Sequence, residues 1–567
     1  MKYRNIKLFF PILSFVLAIS TVSCVDDLNV KNIDPNVVPE FQQDAVFAKI
    51  YASLALTGQE GPAGNGDVKG IDEGTSAFFR LIWNLNELTT DEAMCSWGDP
   101  GIPEMNYNKW SSSHDQITGL YGRLYFNITL CNHFLQQTIG LTDANTKKQR
   151  AEARFMRAMN YYYLLDMFGN VPFAEEVTIS YNATQMKRVD LFNYVEKELI
   201  ECEADMSEPR TGQYYRVDKA ANWLLRSRLY LNSEIFTTIP QTSATANFPA
   251  TVAKAGTPRW TDAAIYAKKV IDSNYKLCPV FKHLFMADNA GKFDGSTVNQ
   301  ANQEILLPIA ADGVRTKSYG TSTFLIASTH KEDMTAWGIP KSAWAGNRAR
   351  ATLVKKFFPT GTTYFPNPYD LTSTLPSNVL HDDRSLFFLG KTIKSIVTGK
   401  DSILPRTLSI SSNVFIAGYS VIKFNNLRAD GKTASDQSFS DTDVPFLRLA
   451  EAYLNYGEAV FRGGAKVDGY DALTAINELH KRAAAKLLTS LTLQNIIDER
   501  AKEFFFEGYR RSDLIRFGQY GGMSSTYQWE WKAEQFAGTN FDDHFNLFPI
   551  PSSEINANSK LDQNPGY

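Results

Sequence analysis

The sequence predicts a mostly α-helical protein, in which antiparallel helix pairs build a repeat-like scaffold and carry a large irregular, loop-rich half with few short strands. Three observations support this. Apolar residues recur at spacings of three and four through long stretches before residue 277 and again after residue 442. Short connections join successive amphipathic segments, which must stack to bury their apolar faces. Between them, 277–442 is rich in Gly, Ser, Thr, Asn and aromatic residues and shows only brief strand-like runs, at 303–309 and 420–424.

The chain opens with Lys2, Arg4 and Lys7, an apolar run, and TVSC ending at Cys24, followed by Val25, Asp26 and Asp27. A basic start, a short apolar core and small residues before a cut site read as a secretory signal. The run is interrupted by Pro11 and Ser14 and is too short for a permanent span. Its cysteine makes it resemble a bacterial lipoprotein signal, cut before Cys24 so that the thiol receives lipid and multiple acyl chains anchor the protein stably. The alternative is an ordinary signal peptide with an incidental cysteine. On this reading residues 1–23 are a lipoprotein signal peptide, 24–39 a lipidated tether, 40–275 an N-terminal helical region, and 276–567 a C-terminal region of loops plus closing helices.

Residues 150–168 place Ala153, Met156, Asn160, Tyr163 and Met167 on one face and stop before Gly169 and Pro172, a helix with its terminator. Asp190 is the expected cap of a second helix carrying Phe192, Val195, Leu199 and Cys202. A third is expected from Val217 to Ile235, and a fourth from Thr261 through Ala263, Ala267, Val270 and Ile271. Near the end, Leu447, Ala450 and Leu454, then Leu473, Ile476 and Leu479, then Leu493, Ile496, Ile497 and Phe504 repeat the pattern. These helices are TPR-like in length and in aromatic-small alternation, without strict 34-residue self-similarity.

With 58 basic against 61 acidic residues the net charge is −3, so no overall basic field exists to hold nucleic acid. After Cys24 no uncharged apolar run is long enough to span a bilayer. Cys95, Cys131, Cys202 and Cys278 lack metal-ligand or dense disulfide spacing and read as free buried thiols, the alternative in an exported protein being one bridge of unassigned pairing. No G-x-S-x-G elbow or H-E-x-x-H helix occurs, and the Gly390-Lys391-Thr392 tripeptide has Ser385 where a P-loop needs glycine. A glycoside hydrolase needs two carboxylates close in space. Asp91-Glu92, beside a loop tryptophan, is the adjacent pair to weigh against a helix end or solvated turn.

Three loop segments set aromatic rings among glycines, hydroxyls and a guanidinium: MCSWGDPG at 94–101, KSYGTST at 317–323 and WGIPKSAWAGNR at 337–348. Such rings suit a sugar, whose C–H face covers the ring while its hydroxyls bond at the edge. A ring removing roughly 100 Å² from water at ~25 cal/mol per Å² offers about 2–3 kcal/mol gross. Ordering and desolvation reduce this to an affinity on the order of micromolar to millimolar. The alternative is that these rings pack the loops.

Several segments together resemble the SusD/RagB family of Bacteroidota: the lipoprotein start, AEARFMRA at 151–158 running into FGNVP at 168–172, and VPFLRLAEAYL at 444–454. IDER at 497–500, EFFFEGYRRSDLIRF at 503–517 and LFPIP at 547–551 complete the set. The resemblance implies a surface-exposed, lipid-anchored protein of the outer membrane with a TPR-like scaffold and no enzymatic activity. It implies capture of a glycan and delivery to a SusC-like TonB-dependent transporter, or of peptides in RagB-like members. Trp97, Tyr319 and Trp344 fall in segments similar to the aromatic arc of starch-binding members, with Arg80 as hydroxyl donor; Trp337 and Asp99 are secondary candidates. This favours an α-glucan such as a maltooligosaccharide. No cofactor is required, but Asp294, Asp441 and Asp443 are candidate oxygen ligands for a structural calcium, weighed against solvated loop acids. Arg154, Arg157, Arg510, Arg511 and Arg516 read as scaffold salt bridges rather than ligand contacts.

Overall fold

In the computed structural model, residues 41–58, 61–62, 66–178, 183–238, 255–291, 298–329, 337–357, 381–388, 392–394, 401–403 and 417–567 are described. The Gln43–Ala52 helix crosses from a first unit, 1–46, into a second, 47–567, which contains every further element. Cys24 and the tether lie outside the described residues. No described helix is long and apolar enough to cross a membrane.

The expected 150–168 helix runs over Ala144–Met167. It starts earlier because the Asp143 side chain accepts from the Thr146 amide at 2.9 Å, satisfying a donor the first turn leaves unpaired. It ends before Gly169, whose φ of 73° lies in the left-handed region. It packs against Asp115–Gln137 on one side and Arg188–Cys202 on the other. Asp190 does not cap the latter helix. The cap position is Lys187, and Asp190 sits in the first turn, where a carboxylate complements the helix dipole. The expected 217–235 helix is two, Lys219–Leu231 and Ser233–Thr237, divided at Asn232. Asp218 caps the first by accepting from the amides of Ala220 and Ala221.

Lys219–Leu231 packs on Trp260–Ile271, which packs in turn on Leu449–Phe461 and, through it, on Ala472–Arg482. The helical row therefore continues across the irregular segment, which leaves it after Ile271 and rejoins it at Leu449. Its root is closed by an antiparallel pair: Ile305–Ile309 against Val444–Arg448, with an irregular register around Pro445 and Leu447.

Beside an apolar cluster of Ala450, Leu454, Ile476, Leu479, Ile496 and Phe504 runs a buried charge network. Arg448 meets Glu304 at 3.0 Å, Glu503 at 2.6 Å and Glu507 at 2.7 Å, all buried. Arg384 reaches Glu499 and Glu503, and Arg228 grips Glu451 through two bonds of 2.6 Å. Burial tends to raise the Glu499 carboxyl, but Arg384 and His480 overcome it and hold it at about 2. Removing one partner from such a buried pair is costly, because it leaves a charge without compensation.

The helix-face arginines read as scaffold groups occupy such places. Arg154 and Arg157 converge on Glu198 at 2.6 and 2.8 Å, and Arg516 meets Glu458 and Asp513 at 2.7 Å each. Arg510 grips Asp91 through bonds of 2.6 and 2.8 Å. Arg511 differs, donating to the Asn546 carbonyl at 2.7 Å and lying over the Phe548 ring. The four described cysteines are free and buried.

Candidate functional site

The three aromatic loops meet because two strands far apart in sequence pair. Ala93–Cys95 runs antiparallel to Asn347–Ala349, Cys95 opposite Asn347, and the Ser96 amide extends the ladder to the Gly346 carbonyl at 3.0 Å. Trp97 leaves one strand just where Trp344 enters the other. The Trp97 Nε1–H donates to the Ala345 carbonyl at 2.7 Å. Gly346, at φ 121°, lies so close to the indole that a Cβ there would fall 2.2 Å from Trp97 Nε1. Only a residue without a side chain permits that approach.

Trp344 is fixed from below by the Ser322–Thr329 helix. The amides of Trp344 and Ala345 donate to the Ala327 carbonyl at 2.8 and 3.0 Å, using an acceptor that the helix end leaves unpaired. Tyr319 precedes the same helix, and adjacent Gly320 lies against Ala77, where a Cβ would overlap the alanine methyl. The rings form a row. Tyr319 and Trp344 are 5.5 Å apart at 59°, and Trp344 and Trp97 are 6.4 Å apart at 60°. All three are half-buried. Phe439, which carries no local signal in the sequence, extends the row beyond Tyr319 at 5.0 Å.

Arg80, on the Phe78–Trp83 helix, lies beneath the row. Its guanidinium carbon sits 4.7 Å from the centre of buried Phe324 and 5.7 Å from that of Trp97. Burial pulls its pKa down to about 10 against the opposing pull of Asp72, Cys95 and Asp99, so it remains cationic at neutral pH. Its Nη1 donates to the Gly74 carbonyl at 3.3 Å, while Nε has no partner among the described residues. Asp99 is exposed in the turn after Trp97. Trp337 is only 4% exposed, with its carbonyl accepting from the Asn426 amide, and belongs to the interior rather than to this row.

Asp91 and Glu92 are not presented to a ligand. Both are buried, and Arg510, Lys356 and the Tyr527 hydroxyl surround Asp91. Burial pushes Glu92 up to about 7 while Arg510 opposes it. Of the candidate calcium ligands, Asp441 and Asp443 are buried and accept backbone amides. Asp441 accepts from the Gly313 amide at 2.9 Å and the Ser435 amide at 2.6 Å, and Asp443 from the Ala311 amide at 2.8 Å. Asp294 lies outside the described residues. Among the described residues no three His, Cys, Asp or Glu side chains form a group able to hold a metal ion.

Two family models match the chain: one described as the SusD family over residues 401–567, and one described as starch-binding and associating with the outer membrane over residues 40–254. Among solved structures, surface glycan-binding protein A from Bacteroides thetaiotaomicron, in complex with laminarihexaose, aligns with a TM-score of 0.64 at 19% identity over 92% of this chain and 98% of that one. Surface glycan-binding protein A from Bacteroides fluxus aligns with a TM-score of 0.63 at 19% identity over 93% and 99%. At such identity the likeness is one of fold. A relative in sequence carries more: the chain is 41% identical over 594 residues to the starch-binding protein SusD of Bacteroides thetaiotaomicron, covering 100% of both. The chain therefore belongs to the SusD family, whose members are carbohydrate-binding, non-catalytic proteins.

Proposed function

We propose that this protein captures an α-glucan, starch or a maltooligosaccharide, on the face formed by Tyr319, Trp344 and Trp97. The observation that carries this reading is the ring row itself: three half-exposed rings from three loops, held in sequence by a strand pair and a helix end. Successive rings are tilted near 60° rather than coplanar, so a polymer that meets all three must turn along its length. Arg80 serves the hydroxyls from beneath, and Asp99 stands at the rim. The 41% identity to a starch-binding protein supports the choice of polymer.

Lipid on Cys24 would hold the body at the outer surface of the outer membrane, and a SusC-like TonB-dependent transporter is the partner that receives the glycan. Residues 40–254, matched by a model for proteins associating with the outer membrane, support that location.

The test is affinity electrophoresis of the body, starting after Cys24, through gels containing starch, β-glucan, xylan, mannan or fructan. Retardation by starch alone, lost when Trp97→Ala is combined with Trp344→Ala while circular dichroism is unchanged, supports the reading. Retardation by another polymer replaces the substrate. No retardation by any, with peptide retained instead, overturns it.

A further inference from the structure

A second set of surface rings lies at the other end of the short segment that follows Trp97. Tyr107 and Trp531 have centroids 5.8 Å apart at 61°, and Trp531 and Phe536 are 5.5 Å apart at 78°. Tyr107 and Trp531 are half-buried, and Phe536 is 52% exposed. An ion pair between Lys109 and Glu534, 2.6 Å long and open to solvent, borders them with donors and acceptors. We propose that Tyr107, Trp531 and Phe536 form a second carbohydrate-stacking platform, which engages the same polysaccharide chain beyond the Tyr319–Trp344–Trp97 row.

The backbone shows that this cluster is built. Trp531, Ala533 and Glu534 stand at φ 67°, 51° and 65°, and Asn108 on the facing segment at 54°, all in the left-handed region that disfavours side chains. Such conformations persist only where surrounding structure over-determines them. Beside them lies Arg350, fully buried, whose guanidinium donates to the Asn106 carbonyl at 2.9 Å and to the Glu530 carbonyl. Those carbonyls immediately precede Tyr107 and Trp531. The same side chain donates from Nε to the Ala93 carbonyl at 2.8 Å, on the strand that leads to Trp97. One buried cation therefore anchors the roots of both ring sets.

Ten residues separate Trp97 from Tyr107, so the two sets lie no more than about 35 Å apart, and less because Ile102–Asn106 is helical. A long glucan can lie across both, whereas a short oligosaccharide fills one. Joined sites raise apparent affinity for the long ligand through effective concentration without changing either site. The proposal rests on the glycan reading of the first ring row, and its test separates the two.

Gel retardation by soluble starch and titration calorimetry with a short maltooligosaccharide are compared in Phe536→Ala, Trp531→Ala and the Trp97→Ala, Trp344→Ala pair. Phe536 is exposed enough that its removal leaves the fold intact, so the result does not depend on Trp531→Ala folding. The expected outcome is that both platform variants weaken starch retardation about tenfold and leave oligosaccharide affinity unchanged. Unchanged starch retardation in Phe536→Ala and in folded Trp531→Ala overturns the second platform and leaves the first intact. If the Trp97, Trp344 pair instead changes nothing while the platform variants abolish retardation, the glycan is held at Tyr107, Trp531 and Phe536 alone, and both the first reading and the proposal that the chain continues beyond that row are overturned.

Discussion

Arg448 and Trp344 both sit where distant segments meet, and they hold those segments by opposite means. Arg448 is fully buried and gathers Glu304, Glu503 and Glu507 into a charged centre. Trp344 is half-buried and touches Tyr319 and Trp97 ring to ring while backbone amides alone fix its place. In the first region geometry is enforced by the cost of leaving any charge alone, so the helices have one way to dock. In the second the backbone is enforced and the rings stay half-buried. Damage to the first is read as lost fold, and damage to the second as lost binding.

Arg448→Met cuts deepest into this contrast. Leaving three buried carboxylates without their shared cation costs about 3–5 kcal/mol, measured as a lower urea midpoint, and glycan binding is lost only as the fold is. Trp97→Ala with Trp344→Ala is the opposite limit. Each ring carries about 2–3 kcal/mol of gross contact, so glycan affinity falls by at least about tenfold to a hundredfold, with a melting temperature close to that of the parent. If this pair unfolds the protein, the rings are packing elements and the contrast fails.

Gly346→Ala sharpens it further. A Cβ 2.2 Å from Trp97 Nε1 must displace the indole, so binding weakens through a ring that has not been mutated. Added to Trp97→Ala, Gly346→Ala then costs no further affinity, the non-additivity expected of two changes acting on one group.

The smallest effect is in pH. The Glu499 carboxyl is held at about 2, below an unfolded value of about 4.3, so its contribution is present above the unfolded value and lost as pH falls toward 2. Glu92, which burial raises to about 7, has the opposite sign: its contribution is present below about 4.3 and lost as pH rises through 7. Glu92→Gln is expected to reduce the loss of melting temperature between about pH 4.3 and 7, and to leave the acid loss to which Glu499 contributes.

Helices with strong apolar periodicity were legible without the fold, Ala144–Met167 and Leu493–Phe504 among them. The 23-residue helix Asp115–Gln137 was not, because Gly119, Gly122, Asn127 and Asn132 fall within it and dilute its apolar pattern. Gly119 has a tertiary reason: a Cβ there would lie 2.5 Å from the Ile71 Cδ1, so the helix needs the gap to pack. Asp190 looked like a cap because caps are judged from residue type, whereas the first turn begins where Leu191 and Phe192 reach the core. That the amides of residues 311 and 313 bond Asp443 and Asp441 is invisible to local sequence, because those partners lie far off along the chain.

By itself the sequence determined the helical class, the family, and the aromatic loops that carry the candidate glycan face. These depend on local periodicity, turn chemistry and side-chain type, all properties of neighbouring residues. Tertiary structure alone decided that Trp344 rather than Trp337 joins the row, that Phe439 extends it, and that Arg350 ties it to a second ring cluster. Trp337 and Trp344 both sit in glycine-flanked loop sequence. What separates them is the pairing of Asn347–Ala349 with Ala93–Cys95 and the helix-end carbonyl of Ala327, and no local pattern encodes which distant acceptor an amide will find.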